Sequence, residues 1–195
     1  MLPRLLLLTD RTQARRPISE VIGAAVDGGA RAVVLREKDL PRDERARLAA
    51  VLRPLLAAVH GWLLVASDLS IATGGVHLAA DDPLPQDRPP IVGRSCHDAR
   101  ELKAATAEGL DYVTLSPVAA TASKPGYGPA LGHAELRRLC ASTDVPVYAL
   151  GGVDASNARG WLEAGAYGVA VMGAVMRAAR PDRAVADLLT ALQPD

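Results

Sequence analysis

Phenylalanine is missing altogether from the 195 residues, and aromatic side chains make up only 3% of them. Platforms on which nucleic-acid bases could stack are correspondingly scarce, and any core must be filled by Leu, Val, Ala and Ile. An excess of one charge is missing too. Lys+Arg and Asp+Glu both total 22, with no long block of one sign, which argues against a general electrostatic grip on nucleic acid. Cysteine is nearly absent: Cys96 and Cys140 stand in different segments without metal-ligand spacing, so neither a disulfide framework nor a zinc site is indicated, and a reducing cytoplasm fits best. Nor is there a long apolar run. The opening Leu5-Leu6-Leu7-Leu8 is too short to span a bilayer and meets Thr9-Asp10 instead of a small-residue cleavage site, so it reads as a first strand, with no membrane association expected.

What the chain does have is 49% hydrophobic residues spread along its length, enough for one substantial core, and a single domain over residues 1–195 is the expectation. Eight short apolar runs of strand length recur: Leu5-Thr9, Ala32-Leu35, Trp62-Ala66, Gly75-Leu78, Ile91-Arg94, Tyr112-Leu115, Val147-Leu150 and Gly168-Met172. Between them, Ile18-Asp27, Arg42-Val59, Ala99-Glu108, Ala134-Cys140, Ala155-Glu163 and Arg183-Leu192 carry apolar residues at helical spacing. Asp98 and Asp154 are placed as N-caps. In the second helix Leu48, Val51, Leu52, Leu55, Leu56 and Val59 form one stripe, and Pro54 should bend or interrupt it. Strands alternating with helices predict a compact (β/α)₈ TIM barrel whose third and fourth connections are trimmed to loops. A doubly wound open sheet is the rival, but no Gly-x-Gly-x-x-Gly turn follows the first strand.

In such a barrel the chemistry collects where the strands end. There the sequence places Thr9-Asp10, Arg36-Glu37-Lys38, Ser67-Asp68, His77, Ser95-Cys96-His97, Ser116, Gly151-Gly152 and Gly173. The glycines after strands seven and eight let main-chain amides approach a phosphate. Arg36 and Lys38 can lean over the mouth toward a second anion, with Glu37 pointing away. The small, polar stretch from Pro117 to Pro129, with Thr121, Ser123 and Lys124 inside it, has the composition of a lid. His97 is the favoured proton carrier, a helix-capping role being the bland alternative; His77 is as readily a histidine held by hydrogen bonds inside the barrel.

These segments, in this order, resemble the thiamine phosphate synthase and TenI superfamily of small (β/α)₈ barrels. The match runs from Leu7-Leu8-Thr9-Asp10 through Leu35-Arg36-Glu37-Lys38, Gly75-Val76-His77-Leu78, Ser95-Cys96-His97, Ser116-Pro117-Val118 and Thr121-Ala122-Ser123-Lys124. It continues through Pro146 to Gly152 and Gly165 to Met172. For the synthase branch, which couples hydroxymethylpyrimidine pyrophosphate to thiazole phosphate with Mg²⁺, the resemblance implies Arg36 and Lys38 at the pyrophosphate and Asp82 at the metal. It also implies Ser95 and Thr121 near the substrates, Lys124 on the lid, and Gly152 with Gly173 at the thiazole phosphate.

The sequence departs from the synthase pattern at Val34, where a Gln is usual, and at Ala66-Ser67, where an Asn-Asp pair is usual; Asp68 is the candidate replacement for the lost carboxylate. These departures favour the TenI branch, a metal-free thiazole tautomerase in which His97 moves the proton, assisted by Ser95 and Lys124, and Arg36 and Lys38 steady a carboxylate. The synthase is the alternative, and a non-catalytic barrel that binds a phosphorylated ligand is a third reading. A small phosphorylated thiazole or pyrimidine is the expected partner, and a homo-oligomer is compatible with the sequence.

Overall fold

Strands whose two faces are both apolar must be buried on both sides, and the chain meets this demand by closing them into a ring. In the computed structural model, which describes residues 2–120 and 129–193, eight parallel strands pair in sequence order, and β8 returns to β1. They are β1 (Leu5–Leu8), β2 (Ala32–Leu35), β3 (Trp62–Ala66), β4 (Val76–Leu78), β5 (Val92–Cys96), β6 (Tyr112–Leu115), β7 (Val147–Leu150) and β8 (Gly168–Val171). The helices are α1 (Ile18–Asp27), α2 (Arg42–Ala57), α3 (Ala99–Ala107), α4 (Gly132–Cys140), α5 (Ala158–Glu163), α6 (Gly173–Met176) and α7 (Pro181–Ala191). The expected barrel is the observed one, and the connections after β3 and β4 carry no helix.

Alternation along the strands sorts side chains into two cores. Leu6, Leu8, Ala32, Val34, Leu64 and Ala66 point into the barrel with Tyr112, Tyr148 and Ala170. Leu5, Leu7, Val33, Leu35 and Leu63 point outward, into the layer between strands and helices. Without Phe, tyrosine supplies the bulk in the barrel: Tyr112, Tyr148 and Tyr167 meet edge to face, with successive centroids 5.4 and 5.6 Å apart. At the end where the strands begin, the Tyr148 and Tyr167 hydroxyls donate to the carbonyls of Pro3 and Leu2, and the Arg4 guanidinium lies 4.4 Å from the centre of the Tyr167 ring.

Local expectations fared unevenly. Asp98 does cap α3, accepting from the Glu101 amide at 2.8 Å. Asp154 does not cap α5; it closes a turn with Ser156, and Asn157 stands at the cap position. Pro54 does not break α2, because the carbonyl it would strand belongs to Ala50 on the exposed side of the helix, where water can satisfy it. Val51, expected in the buried stripe, is 52% exposed. Among the described residues no helix is long and apolar enough to cross a membrane.

Candidate active site

Where the strands end, the barrel opens into a cavity of about 610 Å³. Arg36, Lys38, His77, Ser95, His97, Gly151, Gly152 and Gly173 all line it. Segments far apart in the chain therefore converge at one mouth. Thr121 and Lys124 lie outside the described residues.

Arg36 and Lys38 leave β2 and form one cationic arc of the mouth. Their loop is anchored from both sides: the Arg36 amide donates to Thr9 Oγ1 at 3.0 Å, and buried Glu37 accepts from the Arg11 amide at 3.0 and 3.1 Å. Glu37 points away from the mouth, as expected, and does not line the cavity, but it is buried and not solvated. Its carboxylate turns inward because the Arg11 amide and guanidinium offer charge-assisted partners there.

Asp82 stands just behind this arc and is not part of the cavity lining. Its Oδ2 accepts from Ser67 Oγ at 2.5 Å and from the Ala79 amide at 2.7 Å. Burial pushes this carboxyl up, but those hydrogen bonds and the charges of Lys38 and Arg94 more than offset it and hold the group below the ordinary aspartate range. The loop that carries Asp82 is pinned by buried Arg94, whose Nη1 donates to the carbonyls of Ala79, Ala80 and Asp82 at 3.0, 2.9 and 2.7 Å. Asp68 cannot join Asp82, because its carboxylate is held by Arg45 of α2 at 2.5 Å and by Ser70. Among the described residues no three acidic, His or Cys side chains cluster as metal ligands.

Histidines occupy two different settings. His77 is the interior one, 5% exposed, with Nδ1 2.9 Å from the Tyr112 hydroxyl and Nε2 3.0 Å from Ser95 Oγ. Burial, and after it the charges of Lys38 and Arg36, push this imidazole down to about 3. His97 is partly exposed at the cavity wall, and its Nδ1 lies 3.0 Å from Glu101 Oε2. The same oxygen accepts from the His97 amide at 2.8 Å. A carboxylate at Nδ1 holds the proton there and leaves the basic lone pair of neutral His97 on Nε2, the arrangement a proton carrier requires. Glu101 lies within the helix expected over Ala99-Glu108, and nothing in its spacing marks it as a partner of His97. Burial pushes the thiols up, Cys96 to about 12 and Cys140 to about 11, which disfavours the reactive thiolate.

The glycine arc has a packing reason as well as a chemical one. Gly152 has φ +68°, and a Cβ there would sit 2.4 Å from the Ala120 carbonyl oxygen, so no side chain fits between β7 and the segment after β6. At Gly173 a Cβ would sit 2.3 Å from a guanidinium nitrogen of Arg177. Arg177, which also donates to Gln13, lines the cavity. Arg177 ends the short helix α6 and belongs to no recognisable motif, so its sequence position alone does not mark it.

The thiamine monophosphate synthase family model matches residues 5–175. The chain is 34% identical over 190 residues to thiamine-phosphate synthase of Roseiflexus castenholzii, covering 91% of this chain and 83% of that one. It is 38% identical over 183 residues to thiamine-phosphate synthase of Methanoculleus marisnigri, covering 88% and 87%. The solved thiamine phosphate pyrophosphorylase of Pyrococcus furiosus superposes with a TM-score of 0.85 at 29% identity, over 96% of this chain and 94% of that one. With barrel, mouth and sequence in agreement over nearly the whole length, the chain belongs to the thiamine monophosphate synthase family, whose members include the TenI proteins.

Proposed function

We propose that the protein is a thiamine phosphate synthase, coupling hydroxymethylpyrimidine pyrophosphate to thiazole phosphate. The observation that carries this reading is that one cavity has two separate anion-binding arcs: Arg36 and Lys38 after β2, and Gly151, Gly152, Gly173 and Arg177 after β7 and β8. Two phosphorylated substrates need two such arcs. The names of the relatives support the same choice over a tautomerase.

In this reading Arg36 grips the pyrophosphate as a fork and Lys38 as a point charge, while main-chain amides around Gly152 and Gly173, with Arg177, hold the thiazole phosphate. Ser95 donates a hydrogen bond from the floor. The wall of Leu8, Ala66 and Leu150 excludes water from the reacting centre, where a C–N bond forms as the C–O bond to pyrophosphate breaks. The donor set for Mg²⁺ is sparse: one ionised carboxylate, Asp82, with the Ser67 hydroxyl beside it. That set fits a magnesium ion bound chiefly through substrate phosphates, for which one or two carboxylates suffice. When bound, the ion would neutralise charge on the departing pyrophosphate. Thr121 and Lys124 retain the roles that the family resemblance implies.

A second reading, thiazole tautomerase, draws on one specific observation, the His97–Glu101 pair facing the cavity while Asp68 is committed to Arg45. There His97 would move a proton without a metal. The two readings part in one experiment. The purified protein is given both synthase substrates with and without Mg²⁺, and thiamine phosphate is followed by oxidation to a fluorescent product; in parallel, aromatisation of a thiazole carboxylate phosphate is followed by ultraviolet absorption. Metal-dependent coupling is the expected result. Aromatisation without coupling would overturn the synthase reading.

A further inference from the structure

At the floor of the cavity, on the arc of β4, β5 and β6, Ser95 ends a chain of hydrogen bonds whose other members, His77 and Tyr112, neither reaction uses. His77, Gly93 and Tyr112 are direct neighbours across the three strands. Gly93 has no side chain, and a Cβ there would sit 2.0 Å from Tyr112 Cζ. The phenol ring therefore crosses β5 to reach the histidine on β4.

Counting protons settles the direction of the chain. The Tyr112 hydroxyl is buried, and among the described residues its hydrogen-bond partner is His77 Nδ1. If Nδ1 carried a proton and donated it, the phenolic O–H would be buried without an acceptor, a costly arrangement. The same objection applies to a doubly protonated imidazole. Tyr112 therefore donates to Nδ1, and the single ring proton of His77 resides on Nε2. From there it is donated to Ser95 Oγ, 3.0 Å away. Ser95 Oγ, having accepted, must turn its own proton elsewhere, and the cavity it lines is where an acceptor can arrive.

We propose that Tyr112 is a positioning residue: by fixing the tautomer of His77 it makes Ser95 an obligate hydrogen-bond donor into the cavity, directed at an anionic oxygen of the ligand. The nature of the acceptor rests on the phosphorylated-substrate reading above; the proton order does not. Burial, and after it the charges of Lys38 and Arg36, opposed by Asp82, also favour a neutral His77. The device gives a fixed donor in place of a hydroxyl rotor that would have to be ordered on each binding event, so it acts on affinity for the anion.

Long-range proton–nitrogen NMR of protein labelled with ¹⁵N-histidine reads the tautomer directly, and calorimetry with inorganic pyrophosphate reads its consequence. His77 is expected as the Nε2–H form from about pH 5 to about pH 8, and Tyr112→Phe is expected to release it into a mixture. Tyr112→Phe and Ser95→Ala should each weaken pyrophosphate binding about tenfold, the scale of one charge-assisted hydrogen bond. The double variant should be no weaker than Ser95→Ala alone. A merely structural Tyr112 would lower affinity equally in both backgrounds, and that result, or an Nδ1–H His77 in the unaltered protein, would overturn the proposal. If the unaltered protein shows Nε2–H but takes up no pyrophosphate, the proton order stands and the anionic acceptor falls, together with the phosphate reading of the cavity.

Discussion

The sharpest stability test is Gly93→Ala. The added methyl would stand 2.0, 2.2 and 2.5 Å from three atoms of the Tyr112 ring, well inside contact distance, and the ring cannot yield easily because Tyr148 meets its other side edge to face. Displacing it also breaks the bond to His77 Nδ1. Overpacking costs about 1–3 kcal/mol and a buried polar group left unpaired costs about 1–2 kcal/mol more, so the total is about 2–5 kcal/mol. For a chain of this size that lowers the melting temperature by about 5–20 °C. Thermal and urea unfolding would measure it, repeated in a Tyr112→Val background where no ring opposes the methyl. The cost should largely vanish there, because the two positions couple through direct contact. Equal costs in both backgrounds would refute the account of how β4, β5 and β6 are fitted together.

Three further outcomes follow from the same structure. Because His77 titrates near 3 when folded and near its ordinary 6.5 when unfolded, the unfolded chain binds the extra proton as pH falls; stability is full above about pH 6.5 and should drop by roughly 2 kcal/mol between pH 7 and pH 5. His77→Gln should flatten that part of the urea-unfolding profile, and an unchanged slope would exclude His77 as its source. Arg94→Met removes the Nη1 donor that makes three hydrogen bonds to the Asp82 loop, together with the partly buried ion pair to Glu108. A loss of about 3 kcal/mol is expected, with amide hydrogen exchange rising first at residues 79–82; uniform acceleration across the barrel would contradict a local pin. Arg177→Ala should raise KM for the phosphorylated thiazole about tenfold with little change in kcat, the signature of lost ground-state binding, and steady-state kinetics with that substrate varied would show whether the guanidinium over Gly173 touches the ligand at all.

Sequence periodicity revealed the barrel because most of the strands are apolar on both faces and each long helix on one, and those are tertiary demands that leave a pattern. It could not reveal whether a loop residue faces in or out. Glu37 follows its strand in a charged triplet and is buried only because the Arg11 amide, far away in the chain, needs an acceptor. Arg94 looked like a strand end, but β5 runs on to Cys96 and turns that guanidinium inward under a loop that no periodicity describes. Asp68 illustrates the opposite failure, a carboxylate at a suggestive position whose charge is claimed by a helix two elements earlier. The cavity-lining residues were legible from their places after the strands. Arg177, which also lines the cavity, was not, nor were the supporting partners Glu101 and Tyr112, since nothing in spacing distinguishes a residue that orients another from one that fills space.

The tyrosine hydroxyls that tie down Leu2 and Pro3 fasten the start of the described chain to the underside of the ring, remote from the reactive mouth. A fusion partner or surface linker joined there would hang away from the substrates' route of entry. Immobilised that way, the barrel would present its open rim to solution, whereas trimming those first residues would unstopper its base.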